Sequence, residues 1–349
     1  MKKIVDKQER GDSMKMKKFI NNPKDLTKEV LEGLALANPS RLHVDDNKLV
    51  ISNSLGDKKR VHIVTLGGTG HEPALSGYVG KGMVDISVPG DIFAAPGPPA
   101  CIKALEIANK ASGGAGVLFV VLNHAGDMMT GNMTMDMVKE KKLNIMKLVT
   151  QEDISNASRQ NWNDRRGLVG CVPLYKIAAA ASLAGKNLQE VYSIAQRFNE
   201  NMGTLAVALR GATHPQTGDM ISVLGENEME IGMGQHGEGG GGRMPVKTAD
   251  ETTDIMADAL IKDLNLKRGD KTMIIVNGSG STTHMELLIV FRRAYKKLES
   301  MGIKIVASWV DEILTVQEAA GFQLFFARMD DELLKYWNAP CDTPYLRVS

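Results

Sequence analysis

Val61-His-Ile-Val-Thr-Leu66 runs without a break into Gly67-Gly-Thr-Gly-His-Glu-Pro73, and this junction decides the fold. The first six residues, rich in β-branched side chains, read as a strand. The glycines read as a tight turn, and a helix is predicted to follow with Pro73 in its first turn, where a missing N–H costs little. The same grammar returns at 116–123, an apolar strand pattern that ends in His124-Ala-Gly-Asp127. Helical spacing follows over 128–142, then a further strand at 144–149. Strands that are apolar on both faces must be covered on both faces, so the alternation predicts an α/β fold with a parallel or mixed sheet.

The alternation continues past a helical segment at 187–201. Strands are read at 204–209, 228–231, 272–276, 304–308 and 322–327. A helix over 283–300 follows the turn Asn277-Gly-Ser-Gly280, read as a helix cap. At 349 residues the chain exceeds the roughly 250–300 that one core accommodates. The prediction is therefore two α/β domains, each a mixed or largely parallel sheet flanked by helices. The first spans residues 16–200 and the second residues 201–349, with residues 1–15 as a charged N-terminal extension.

Composition narrows the function. Forty-two basic against 41 acidic residues leave a net charge of +1, which gives no support for a nucleic-acid partner. Three scattered cysteines, Cys101, Cys171 and Cys341, form neither a disulfide framework nor a CxxC pair, as suits a reducing cytoplasm. No apolar run reaches the roughly 18–20 residues of a membrane span, and the N-terminus lacks a signal-peptide core. A cytoplasmic protein without a membrane partner is expected.

Three loops can carry chemistry, because ligands of open α/β sheets collect beyond the carboxyl ends of strands. In the first, Gly67, Gly68 and Gly70 offer backbone amides to an oxygen-rich group and His71 offers an imidazole; a plain turn with a capping histidine is the bland alternative. In the second, Asp127 follows a buried strand as a general-base candidate or an ordinary N-cap, and His124 reads as an exposed neighbour. The third is Gly232-Met-Gly-Gln-His-Gly-Glu-Gly-Gly-Gly-Gly-Arg243, where glycines surround the single nucleophile-type side chain of His236. Gly232, Gly234 and Gly237 match a dinucleotide fingerprint only in form, since four glycines followed by Arg-Met-Pro do not open a helix. No GxxxxGK[ST] loop and no HExxH helix is present, so the chain itself lacks an obvious nucleotide site. His71, Asp127 and His236 are metal-type ligands without short ligand spacing, and no metal is expected.

Taken together these segments resemble one family, the substrate-binding K subunit of dihydroxyacetone kinases. The likeness rests on Lys17-Lys-Phe-Ile-Asn21, Gly67-Gly-Thr-Gly-His-Glu-Pro73, Pro89-Gly-Asp-Ile-Phe93 and Asn123-x-x-Gly-Asp127. It continues through Glu226-Asn-Glu-Met-Glu-Ile-Gly-Met-Gly-Gln-His-Gly-Glu238 to Asp330-Asp-Glu332. The resemblance implies that His236 holds a short-chain ketose covalently as a hemiaminal, that Asp127 is the general base, and that His71 hydrogen-bonds and orients the substrate. Gly67, Gly68, Gly70, Gly234 and Gly237 are the implied substrate-binding glycines. It implies no cofactor on this chain: ATP or ADP and magnesium belong to a separate L subunit, rephosphorylated in one branch by an M subunit of the phosphotransferase system. It also implies a homodimer and a place in glycerol metabolism.

Departures from the family pattern cluster at the expected pocket. Leu122 stands where a lysine is usual, His124-Ala125 replaces Tyr-Thr, and Ala94-Ala-Pro-Gly-Pro-Pro99 replaces a hydroxyl-rich stretch. The reading is an enzyme subunit that phosphorylates dihydroxyacetone, with a four-carbon ketose such as erythrulose as an alternative substrate. A ligand-sensing homologue acting as a transcriptional co-activator is the alternative of another class.

Overall fold

A computed structural model describes residues 17–349; the expected extension at 1–15 lies outside them. Helix α1 (Leu26–Ala37) and the short strands β1 (Leu42–Val44) and β2 (Val50–Ser52) lead into β3 (His62–Thr69). Next come β4 (Ile86–Ile92), α2 (Pro98–Ala111), β5 (Val117–Leu122), α3 (Ala125–Val138) and β6 (Ile145–Thr150). The six strands form one sheet in the order β1-β2-β4-β3-β5-β6. Its β4-β3-β5-β6 portion is parallel and its β1–β2–β4 edge antiparallel.

A buried helix, α4 (Cys171–Leu183), and one buried along a single face, α5 (Leu188–Glu200), precede a second six-stranded sheet. It is built from β7 (Met202–Arg210), β8 (Glu228–Ile231), β9 (Arg243–Pro245), β10 (Lys271–Gly278), β11 (Lys304–Asp311) and β12 (Ala320–Arg328). Helices α6 (Ala249–Leu264) and α7 (His284–Ser300) connect its later strands, and α8 (Asp331–Trp337) follows them. The order is β11-β10-β12-β7-β8-β9, and only β10–β11 is parallel. The second sheet is thus mixed with an antiparallel majority.

Alternation along the strands explains how the layers stack. In β5, Val117, Phe119 and Val121 face α2 and α3, while Leu118, Val120 and Leu122 face α4 and α5. In β10, Met273 and Ile275 join that same α4–α5 cluster, while Ile274 and Val276 pack on α6 and α7. The result is five layers, helices–sheet–helices–sheet–helices, with the α4–α5 layer shared by both sheets. Of the two helices, α4 is enclosed on every side while α5 keeps a polar outer face. Accordingly, α4 (CVPLYKIAAAASL) is buried over nearly its whole length and shows no helical stripe in its sequence.

The helix predicted after Gly67–Pro73 does not form. The chain there passes through turns and a short 3-10 segment, Ser76–Tyr78. Gly77, Gly80 and Gly82 explain this: Gly80 and Gly82 take positive φ, and a Cβ at Gly77 would strike the Tyr345 ring. His71 consequently sits in a turn and not at a helix N-terminus. Among the described residues, no helix is long and apolar enough to cross a membrane.

Candidate active site

The carboxyl ends of β3 and β5 and the loop between β8 and β9 meet around a cavity of about 170 Å³. His71, Asp127 and His236 all line it, with Gly67 and Gly68 in its floor. Leu122, His124, Ala125, Ala94 and Ala95 form much of the wall. Gly70, Gly234 and Gly237 do not line the cavity and shape the loops behind it: Gly70 and Gly237 adopt φ of +98° and +82°. A Cβ at Gly234 would collide with Arg166 and Glu238, and Cβ atoms at Gly240 and Gly241 would collide with the carbonyls of Gly232 and Ile231.

His236 sits in a turn closed by Gly234 N–H donating to the Glu238 carbonyl at 2.7 Å. The Glu238 carboxylate accepts from the His236 main-chain N–H at 2.9 Å and lies 3.3 Å from its ring Nδ1. Burial pushes the Glu238 carboxyl up, but hydrogen bonds from the His236 ring and from the loop backbone outweigh it and leave its pKa well below the usual range. An ionised carboxylate only accepts, so His236 carries its proton on Nδ1 and presents Nε2 to the cavity.

The His71 ring lies opposite. Its Nδ1–H donates to the Thr315 carbonyl at 2.8 Å, and its Nε2 is 3.3 Å from Nε2 of His236. Burial, reinforced by the neighbouring His236, lowers its pKa to about 3, so the ring is neutral and its Nε2 bears a lone pair. His124 is likewise buried and not the exposed neighbour expected. Its Nε2–H donates to the Gly167 carbonyl at 2.8 Å, and burial lowers its pKa to about 4. The sequence offered no sign of this, because Gly167 reaches it from a segment 43 residues away. Glu238, too, was passed over, although a carboxylate two residues from a lone histidine in a glycine turn is a usable signal.

Asp127 occupies the first turn of α3, with His124 and not Asp127 at the N-cap. Among the described residues its carboxyl group has no hydrogen-bond partner. Burial raises its pKa to about 7, partly countered by His236. The site therefore offers two neutral imidazoles with inward lone pairs, a histidine whose tautomer is fixed by a carboxylate, and a carboxyl group able to take a proton near neutrality.

Arg166 holds the loop that carries His236. Its guanidinium donates to Asp153 at 2.8 Å, to the Gly232 carbonyl at 2.9 Å, to Ser155 Oγ at 3.2 Å and to the Glu238 carbonyl at 3.4 Å. Arg166→Met keeps the bulk but strands the buried Asp153 carboxylate. A loss of roughly 3–5 kcal/mol is expected by urea unfolding, with faster amide exchange over residues 232–242. Exchange unchanged in that loop would show that Arg166 does not hold it.

Comparison with known proteins fixes the lineage. The Dak1 domain model matches residues 32–345. The dihydroxyacetone-binding subunit of PTS-dependent dihydroxyacetone kinase 2 from Listeria innocua is 33% identical over 335 residues, 95% of this chain and 100% of that protein. L-erythrulose kinase from Pectobacterium atrosepticum is 31% identical, covering 94% of this chain and 56% of the longer relative. Among solved structures, the dihydroxyacetone kinase operon co-activator Dha-DhaQ superposes with a TM-score of 0.83 at 28% identity, covering 90% of this chain and 96% of that one. The dihydroxyacetone kinase of C. freundii, in complex with AMP-PNP and Mg2+, does so with 0.84 at 28% identity, over 95% of this chain and 61% of the other. With a family model spanning most of its length and relatives above 30% identity along it, the chain belongs to the Dak1 domain family.

Proposed function

We propose that this chain is the ketose-binding subunit of a dihydroxyacetone kinase, holding its substrate as a hemiaminal on His236 while a partner delivers the phosphoryl group. The observation that carries the reading is the His236 ring itself: Nδ1 faces the Glu238 carboxylate and Nε2 faces the cavity 3.3 Å from a neutral imidazole. In the first step the Nε2 lone pair attacks the ketone carbon. A C–N bond forms, the π pair moves to oxygen, and the proton that Nδ1 gives to Glu238 is passed on to that oxygen, so the hemiaminal is neutral and Glu238 is again a carboxylate. The lone pair on His71 Nε2 accepts a hydrogen bond from the new hydroxyl and orients it. Glycerol has no carbonyl to attack and is excluded by chemistry.

In the second step Asp127 accepts the proton of the terminal hydroxyl as that oxygen attacks phosphorus, giving the phosphate ester and releasing the donor's leaving group. A carboxyl group with a pKa of about 7 suits this task at neutral pH. Nucleotide and Mg2+ belong to an L-type subunit, with an M-type subunit recharging it in the phosphotransferase route. Names of relatives support this: the Listeria subunit is PTS-dependent, and the nucleotide-bound kinase of C. freundii is longer than this chain. A four-carbon ketose is a second substrate reading, favoured by the small side chains Ala94, Ala95 and Ala125 in the wall and by the relative named an L-erythrulose kinase. Asp127 in the cavity favours catalysis over the co-activator role named for Dha-DhaQ. The domain division at residue 200, a homodimer and a cytoplasmic setting complete the proposal.

Mixing the chain with dihydroxyacetone should add one ketose per chain in native mass spectrometry, and His236→Ala should abolish the adduct. An adduct that persists in the variant would place the bond elsewhere. Reconstituted with an L-type subunit and donor, the wild type should transfer phosphate with a rate that rises through about pH 7 as Asp127 ionises. Asp127→Asn should keep the adduct and lose transfer; substantial turnover in that variant would remove Asp127 as base.

The same carboxyl group makes a stability prediction with a definite sign. Its folded pKa of about 7 exceeds the ordinary 3.8, so ionisation costs stability progressively above pH 3.8 and fully above pH 7. Asp127→Asn should therefore be more stable than the wild type at pH 8. The expected gap is roughly 2–4 kcal/mol, at about 1.4 kcal/mol per pH unit of displacement, and it should close by pH 4. A gap that stays constant with pH in chemical denaturation would contradict this origin.

A further inference from the structure

Addition of the His236 ring to a ketone puts negative charge on the ketone oxygen before its proton arrives, and a hydrogen-bond donor aimed at that oxygen lowers the barrier. Most polar side chains around the cavity cannot serve. His71 and His124 each spend an N–H on a main-chain carbonyl, that of Thr315 and that of Gly167. His236 turns its Nδ1 to the Glu238 carboxylate. Asp127 and Glu238, once ionised, only accept. Gln235 is left: it lines the same cavity, and its side-chain amide carries two N–H groups.

Gln235 is 4% exposed, and its Nε2 has no hydrogen-bond partner among the described residues. A buried donor without an acceptor costs stability and is rarely kept in a native structure. The backbone on either side is fixed. Gly234 N–H donates to the Glu238 carbonyl at 2.7 Å, Gly237 N–H to the Gly234 carbonyl at 3.1 Å, and His236 N–H to the Glu238 carboxylate at 2.9 Å. The amide itself has room to turn, because Gln235 also lines a recess of about 30 Å³ behind the loop, beside Ile221, Ser222 and Met233. As neighbours in the chain, Gln235 and His236 have Cα atoms about 3.8 Å apart. Donor and nucleophile therefore ride on one closed turn and meet the ketone together.

We propose that Gln235 is a catalytic residue of the addition step: its Nε2–H donates to the ketone oxygen while His236 Nε2 attacks the carbon, and holds the developing oxyanion until that oxygen is protonated. The role rests on the ketose reading. Gln235 gives up no proton of its own; it supplies a hydrogen bond that is stronger to the oxyanion than to the neutral ketone, which is the condition for accelerating the step.

The test follows the adduct on the full chain with carbonyl-labelled dihydroxyacetone, by NMR saturation transfer between the free ketone and the hemiaminal carbon. Gln235→Met is close in volume and has no donor, and it should slow addition roughly 100- to 1,000-fold. Its urea midpoint should equal or exceed that of the wild type, because an unpaired buried donor has been removed. Addition at the wild-type rate overturns the role. Slow addition with a lowered midpoint also overturns it, by making Gln235 a structural support of the loop. Should Gln235→Met fail to fold, Gln235→Glu keeps size and polarity and sets a carboxylate against the developing charge. At alkaline pH its addition should be at least as slow, and a wild-type rate there overturns the role. A wild type that forms no adduct overturns the ketose reading and this role with it, whereas equal rates in wild type and variants overturn the role alone.

Discussion

A single buried cation, Arg166, fixes the loop on which everything else in the site depends. It comes from the linker between β6 and α4, on the side of the first sheet, and grips a hairpin loop that belongs to the second. A guanidinium is a planar fork with five donors, and nearly all of them are used here, on Asp153, Ser155 and the carbonyls of Gly232 and Glu238. Main-chain carbonyls can converge on one cation only where backbone meets backbone closely. That is why side chains at Gly234 and Gly240 would collide with Arg166, and at Gly241 with the carbonyl of Ile231. The glycine tract around His236 is therefore the complement of a buried charge as much as a cradle for a ligand. The same charge also helps to hold down the basicity of His124.

Burial then sets the chemistry. Imidazoles and carboxyl groups in water would be mixtures of charged and neutral forms near pH 7 or fully ionised; here His71 and His124 are held neutral, and Asp127 is brought to the point of losing its proton. Glu238 is the exception. It is partly desolvated yet stays ionised because it receives the loop's own N–H groups. Nε2 of His236 and Nε2 of His71 meet across 3.3 Å, within reach of a shared proton.

The sequence showed the parts governed by local pattern and hid those set by distant contacts. β5 was legible because its apolar run admits only a strand covered on both faces, and α7 because the helical spacing begins at Thr283, which caps Glu286. Helix α4 was not, since a segment packed on every side has no stripe to detect. β4 was hidden by Pro89, which the sheet tolerates because the antiparallel neighbour β2 pairs no further than Ser87. At the site, His71, Asp127 and His236 stood out by residue type and loop position. Their company did not: Thr315 reaches His71 from 244 residues away, and no spacing encodes it.

That long-range contact bears on selectivity. Thr315 N–H donates to the His71 carbonyl at 3.1 Å and Gln317 N–H to the Gly70 carbonyl at 3.2 Å, while Lys18 pairs with Glu318. This short ladder ties the β11–β12 connection to the loop after β3. It thereby locks the two sheets in one relative position at the mouth of the site. His236 belongs to one sheet and Asp127 to the other, so the distance between the proposed nucleophile and the proposed base is a property of the lock. In the proposed reaction the substrate must place a carbonyl at one and a hydroxyl at the other. With Leu122, Ala94, Ala95 and Ala125 on the walls, few side-chain hydrogen bonds are available to recognise its remaining atoms. Selection then rests on two things, a carbonyl that can be attacked and a chain length that spans a fixed gap, and an added hydroxymethyl group is discriminated only by whether the apolar wall leaves room for it.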